Sequence, residues 1–215
     1  MSLILAYDLF IATAETLYMV LASTFFAILL GLPLGTLLFT TSKIKPNRPL
    51  NRLLASFINL SRSIPFIILL VALIPFTRWL VGTSIGLHAA MVPLSLGATP
   101  FFARLVDGMY QSLPSGLIEA SFAMGANTWQ TIRYVLIPES MPSLIHAMTV
   151  TAITLVNYSA MAGTVGAGGL GDLAIRYGYQ RFNMGVMLAT LAILVIMVQL
   201  LQTVGDRLTR RFIHD

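Results

Sequence analysis

Residues 113–142 read LPSGLIEASFAMGANTWQTIRYVLIPESMP, and the rest of the chain is organised around them. They form the longest segment unsuited to a bilayer core, because they carry Glu119, Arg133 and Glu139 together with Gly125 and Asn127. Strongly apolar runs flank them on both sides. The stretch still has helical signals. Pro114 suits a first helical turn, where its missing N–H costs nothing. Leu117, Ile118, Ser121, Phe122 and Met124 follow at helical spacing. Gly125 suits a left-handed stop. Asn127 reads as a new N-cap with Gln130 as its capping-box partner. Trp129, Ile132, Val135 and Leu136 give the second segment an apolar face, and Pro138 and Pro142 close it. The expectation is two short helices joined by a bend, lying outside the bilayer or along its face.

Composition sets the setting for that loop. Charged residues are 10% of the chain and hydrophobic residues 57%, against about 25% charged in soluble domains. Mean hydropathy is +0.84. So few charges cannot cover the surface of a soluble protein of 215 residues, so the chain is an all-α integral membrane protein. It has no cysteine, which excludes disulfides, a thiolate metal site and a thiol nucleophile. The N-terminus carries Asp8 and Glu15 and no basic cluster, so no cleaved signal peptide is expected.

A hydrocarbon core needs about 20 apolar residues per helix. On that measure the sequence predicts five transmembrane helices over residues 16–40, 64–80, 85–106, 143–162 and 184–204, in one domain. Residues 1–12 are apolar but short and interrupted by Asp8, which predicts an outer-surface helix or arm. Gly31 and Gly35 make a GxxxG that fits close helix packing. Residues 53–61 alternate Leu and Phe with Ser and Asn, as an interfacial helix would. Pro75, Pro93 and Pro100 predict kinks inside spans. Arg104 and Asp107 are spaced to pair at the surface. The fourth span, with Thr149, Thr151, Thr154, Asn157, Tyr158 and Ser159, is the most polar.

Five spans place the termini on opposite sides. With the N-terminus outside and the C-terminus cytoplasmic, the inner side holds ten basic residues (Lys43, Lys45, Arg48, Arg52, Arg62, Arg104, Arg133, Arg207, Arg210 and Arg211), and the outer side holds Arg78, Arg176 and Arg181. That asymmetry obeys the positive-inside rule and puts residues 113–142 in the cytoplasm. The net charge of +5 therefore implies no nucleic-acid partner.

Glu119-Ala120-Ser121, three residues, Gly125, nine residues, Val135, one residue and Ile137-Pro138 resemble the EAA loop of ABC-importer permeases. Ser121, Val135 and Ile137 depart from the strict pattern by small or apolar exchanges. Ser61-Arg62-Ser63-Ile64-Pro65-Phe66, Ile74-Pro75-Phe76-Thr77-Arg78, Val81 to Gly86 and Tyr158 to Gly171 are similar to the methionine-importer branch. The resemblance covers nearly the whole chain. It implies a type I ABC importer permease that works as a homodimer with two copies of a separate ATPase. A periplasmic or lipoprotein binding protein would deliver D- or L-methionine across the bacterial inner membrane. It implies that Glu119, Ala120, Ser121, Phe122, Met124, Gly125 and Pro138 belong to the coupling loop that docks on the ATPase. Phe122, Met124 and Trp129 could face that partner, the membrane surface or the ends of the spans.

Other constellations are weaker. Gly166 to Gly171 satisfies G-x-G-x-x-G, but a dinucleotide site needs a strand before it; a glycine-rich re-entrant turn fits better. No G-x-x-x-x-G-K-[ST] occurs, so ATP and magnesium would have to be bound by the partner ATPase, with no cofactor or metal held by this chain. His88, His146 and His214 are scattered. No nucleophile–base pair points to catalysis. Asn157, Tyr158, Ser159 and Met161 fit either helix–helix hydrogen bonding or a translocation path, with Met161 as a soft gate. A permease for another small amino acid or related solute is the alternative. An ion-coupled transporter would call for carboxylates inside the spans, and the sequence supplies none.

Overall fold

The first helix carries the fold's longest apolar run. In a computed structural model describing residues 3–212, α1 (Leu3–Phe39) is one continuous helix, extended by a π turn at Thr40–Ile44. The expected outer arm is therefore no separate element. From Ala6 to Ile44 the helix has 39 residues, about 58 Å at 1.5 Å per residue, far longer than a bilayer core. Asp8 does not interrupt it, because the helix has length to spare beyond the apolar layer. Gly31 and Gly35 seat it on α5 (Leu87–Gln111). A Cβ on Gly31 would lie 2.9 Å from the Thr99 carbonyl, and one on Gly35 would strike Ala103 and Val106. The GxxxG is thus a helix contact, as small residues at such seams require.

The helix α2 (Arg48–Ser63) starts at Asn47, whose side chain accepts from Leu50 N at 3.2 Å, with Pro49 in the first turn. Ile58 is buried, while Leu50, Leu53, Phe57 and Leu60 make an exposed apolar stripe. That is the pattern of a helix lying at an interface. The single helix expected over 64–80 is instead α3 (Phe66–Ala72) and α4 (Ile74–Val81). The break at Leu73 comes two residues before Pro75, whose ring crowds the carbonyl four residues back and offers no N–H. Among the described residues four helices are long and apolar enough to cross a membrane, or up to five if the pair α2 and α3, bent by 101°, is one span.

Although α5 contains Pro93 and Pro100, it is one helix throughout. Asp107 near its inner end does bond Arg104, at 2.9 Å, and also accepts from Gln111 at 2.8 Å. The pair reaches the surface only through Arg104, which is 43% exposed, while Asp107 is 2% exposed. Both donors fall on Oδ2, and Oδ1 is buried without a hydrogen-bond partner.

After α5 come α6 (Ser115–Ala123), α7 (Thr128–Thr131), a π turn at Ile132–Leu136, α8 (Ile137–Glu139) and α9 (Met141–Gly163). A glycine turn leads to α10 (Gly169–Leu173) and a π turn at Ala174–Tyr179, then α11 (Met184–Phe212) closes the chain. The core has α9 packed against α1, α5, α10 and α11. Leu94, Ala98, Leu155, Val156, Leu170 and Val186 fill it. Large apolar side chains of α1 (Phe10, Leu21, Phe25, Leu29) and α11 (Leu188, Leu191, Ile196, Leu200) stay exposed. In water such a surface would aggregate; around a bundle in lipid it is the expected coat. Met1, Ser2 and residues 213–215, including His214, lie outside the described residues.

Candidate functional site

The loop before α9 has two halves fastened by short-range bonds. Pro114 is the N-cap residue of α6, in extended backbone, and sits one position before the first turn. The helix ends in a Schellman arrangement: Ala126 N donates to Ser121 O at 3.1 Å and Gly125 N to Phe122 O at 2.9 Å. Gly125 has φ +82°, a conformation that disfavours a side chain. Asn127 Oδ1 then accepts from Gln130 N at 2.9 Å, while Gln130 Oε1 accepts from Asn127 N at 2.8 Å. This capping box satisfies two otherwise unbonded donors.

The expected end of the second helix at Pro138 is not observed. The chain widens into a π turn over 132–136, with Ile137 N bonding Ile132 O, and Pro138 lies inside the following turn. A π turn shifts the hydrogen-bond register, which accommodates a proline without stopping the helix. The turn direction changes at Ser140, whose hydroxyl donates to Leu136 O at 2.5 Å.

Ser121 ties the two halves together. Its hydroxyl lies 3.0 Å from that of Thr131 and donates to Ile118 O at 2.8 Å, and both Ser121 and Thr131 are buried. The serine that departs from the EAA pattern is thus a polar clasp. The inner face of the loop (Leu113, Ile118, Ile132, Leu136) packs into a cluster with Phe39, Phe102, Val106, Tyr110 and Leu144. These belong to the ends of α1, α5 and α9 that adjoin the loop. A push on the loop is therefore a push on all three helices.

The loop exposes large apolar side chains among its polar ones. Met124 is 81% exposed, Tyr134 69% and Trp129 65%, with Phe122 beside them at 40%. Glu119, Ala120 and Pro138 are also exposed. The seven expected loop residues thus divide: Ser121 clasps, Gly125 turns, and Glu119, Ala120, Phe122, Met124 and Pro138 face outward. The sequence reading did not single out Tyr134 or Thr131 as part of the site. Tyr134 carries no local signal, and the Ser121–Thr131 contact bridges two helices.

The four expected path residues also divide. Asn157 and Met161 are exposed on one side of α9, in line with Ser143, His146 and Thr164. Ser159 is buried and donates to Val156 O at 2.8 Å. Tyr158 is half-buried, its ring stacked on Phe66 with centroids 4.3 Å apart and planes 3° from parallel. Asn157 and Met161 are thus exposed, Ser159 bonds within its own helix, and Tyr158 joins α9 to α3.

At the outer end the glycine turn folds back into the bundle. Gly166, Gly168 and Gly169 all have positive φ. Glu15 accepts from Gly169 N at 2.8 Å, and Thr16 accepts from Leu170 N at 2.8 Å. Gly163 and Gly171 touch backbone so closely that a Cβ would collide. Asp172 pairs with Arg176 at 2.6 Å, and Arg181 stands over Tyr177 at 4.4 Å. Among the described residues no group of three His, Asp or Glu side chains could hold a metal ion.

A membrane bundle with a clasped, apolar-tipped loop rooted on three helices is comparable with known proteins. Residues 27–214 match the family described as the binding-protein-dependent transport system inner membrane component. The chain belongs to that family. A family member from Vibrio cholerae, named a probable D-methionine transport system permease protein MetI, is 50% identical over 205 residues, covering 94% of this chain and 91% of its own. The relative of the same name from Pasteurella multocida is 51% identical over 206 residues, covering 95% of each chain. The D-methionine transport system permease protein MetI of Escherichia coli is 56% identical over 151 residues, 69% of this chain and 70% of its own. A solved chain of the MetNI methionine ABC transporter, in an inward-facing conformation, has a TM-score of 0.98 at 51% identity over 100% of both chains. An amino acid ABC transporter solved with histidines has a TM-score of 0.74 at 21% identity, over 96% of this chain and 93% of that one. That second likeness concerns the fold alone.

Proposed function

We propose that this chain is the membrane permease of an ATP-driven importer for D- or L-methionine, set in a bacterial inner membrane with its N-terminus outside. Two copies form the path, two copies of a separate ATPase power it, and an outer binding protein delivers substrate. The observation that carries this reading is the loop of residues 113–140. It is a clasped lever with four bare apolar side chains on its outer face and its root among α1, α5 and α9. An exposed apolar patch rimmed by polar groups marks a protein-binding surface. The relatives and the full-length likeness to a methionine transporter chain support the choice of partner and substrate.

The cycle follows from that geometry. ATP and magnesium belong to the partner. When the ATPase dimer closes, its surface carries the loop with it through Met124, Trp129 and their neighbours. The cluster around Tyr110 and Leu136 does not yield, because packed interiors transmit strain. The inner ends of α5 and α9 therefore move with the loop, and the uncovered side of α9 with Asn157 and Met161 changes its access from one side to the other. Met161 can re-pack as this happens, since a thioether chain is flexible. Release of ADP and phosphate returns the loop.

Purified chain, ATPase and binding protein reconstituted in liposomes should accumulate radiolabelled methionine in an ATP-dependent manner, with unlabelled D- and L-methionine competing. Uptake that is indifferent to ATP, or that methionine does not compete, would rule this reading out.

A further inference from the structure

The break between α2 and α3 opens a cleft of about 120 Å³, lined among others by Ser61, Arg62, Phe66, Gly97, Phe101 and Tyr158. A water molecule takes about 30 Å³ of liquid, so the cleft accommodates a small organic group. Its one charge is Arg62, an exposed guanidinium standing 5.8 Å over the Phe101 ring. Among the described residues the ion pairs are Arg104–Asp107 and Arg176–Asp172, so Arg62 has no carboxylate partner. None is near in sequence either, because residues 16–106 contain no Asp or Glu. The opposite wall is aromatic, formed by the parallel stack of Phe66 and Tyr158. Gly97 admits that wall: a Cβ there would sit 3.4 Å from the Phe66 ring and 3.2 Å from Leu69. Tyr158 adjoins Asn157, and Met161 follows one turn on, so the cleft borders the uncovered side of α9.

A lone guanidinium facing an aromatic wall has a definite chemical complement. Guanidinium binds carboxylate through two parallel hydrogen bonds, and a thioether or aliphatic side chain packs well against ring edges. We propose that this cleft is a transit subsite for a small apolar α-amino acid, with Arg62 receiving the carboxylate and Phe66, Phe101 and Tyr158 receiving the side chain. The subsite is weak by construction. Arg62 is solvated and partly occupied by Phe101, so the substrate is oriented and then released, as a group along a conduction path must be.

This inference rests on the permease reading, and its test separates the two. The complete complex is reconstituted in liposomes and irradiated during ATP-driven turnover with a diazirine analogue of methionine. Peptide mapping should find label within residues 61–69 or 97–101, and excess unlabelled methionine should remove it. Arg62→Gln should lower that labelling about tenfold or more, while Arg62→Lys, which keeps the charge but not the two-pronged fork, should restore only part of it. A wild-type complex that imports methionine but is labelled only elsewhere overturns the subsite and leaves the permease reading standing. Equal, competable labelling of Arg62→Gln and wild type also overturns it. A wild-type complex that fails to import methionine overturns both. The wild-type label map decides the matter even where Arg62→Gln does not assemble.

Discussion

At its inner end α9 continues from residues 113–140; at its outer end it runs into residues 164–183. Both connections contain a short helix, a glycine with positive φ and a π turn, yet they are held in different ways. The inner loop is fastened by contacts among its own residues, none more than about ten positions apart: the Schellman turn, the capping box and the Ser121–Thr131 clasp. The outer loop is fastened by α1, through Glu15 and Thr16, across 154 positions of sequence. The inner loop can therefore keep its shape while it moves against a partner. The outer loop has short-range bonds of its own as well, but its helix start at Gly169 and Leu170 is held by α1, so that start depends on the relative position of α1 and α9.

Breaking the outer loop should have the largest effect. In Gly171→Val the new Cβ would fall on the backbone of Ala160, which has no flexible end to yield. Overpacking a side chain commonly costs about 1–3 kcal/mol, and a backbone collision exceeds that. Little assembled complex should survive detergent extraction and mild heating, as read by size-exclusion chromatography. Gly125→Val offers the contrast. Nothing lies within 4 Å of a Cβ at Gly125, so only the φ of +82° opposes it, at about 1–3 kcal/mol. If Gly125→Val proved as damaging to assembly as Gly171→Val, the distinction between the two loops would fail.

The second effect is on coupling. Met124 is the most exposed of the loop's apolar side chains, so Met124→Asp should leave the bundle intact. Placing a carboxylate in an apolar contact with the ATPase should cost about 2 kcal/mol or more. ATP hydrolysis stimulated by the binding protein should fall at least about tenfold, with the thermal midpoint of the permease unchanged. Normal stimulation would remove Met124 from the contact.

Glu15 gives a smaller change. Replacing it by Ala removes the acceptor of the Gly169 N–H, and bonds to charged groups contribute about 1.5–3 kcal/mol when well shielded. Glu15 is half-buried, so about 1 kcal/mol is expected after allowance for solvent. The readout is hydrogen exchange at Gly169 and Leu170, which should quicken while the amides of α6 and α7 do not. Unchanged exchange at Gly169 would show that the outer loop needs no anchor on α1.

Much of this division was legible before any coordinates. Gly125, Asn127 and Gln130 act within three residues of themselves, so their caps could be read directly. The long apolar runs and Gly31-x-x-x-Gly35 were similarly plain. What escaped reading depends on distant partners. Asp8 looked like an interruption because nothing local tells that α1 outreaches the bilayer. Pro75 breaks its span at Leu73 while Pro93 and Pro100 leave α5 in one piece, so a proline in a span does not by itself tell a break from an unbroken helix. Pro138 looked like a stop because a π turn leaves no mark in composition. The Phe66–Tyr158 stack joins residues far apart in sequence, which is why Tyr158 was open to two roles.

The smallest predicted effects separate the two fasteners of the inner loop. Asn127→Ala removes the side-chain acceptor of Gln130 N, which is one half of the capping box, and cap losses cost about 1 kcal/mol. Ser121→Ala, which restores the residue of the EAA pattern, leaves Thr131 free to turn its one proton to Asn127 O at 3.1 Å. No buried donor is orphaned, and deleting a bond without orphaning its partner is nearly neutral. The midpoint of Ser121→Ala should therefore stay close to wild type while that of Asn127→Ala drops measurably. The double variant should cost more than the sum, because Thr131 would then depend on a helix start that has lost its cap, and neighbouring sites couple by about 0.5 kcal/mol or more. Strict additivity would mean that the clasp and the cap are independent, and that the loop bends at Gly125 when the ATPase pulls on it.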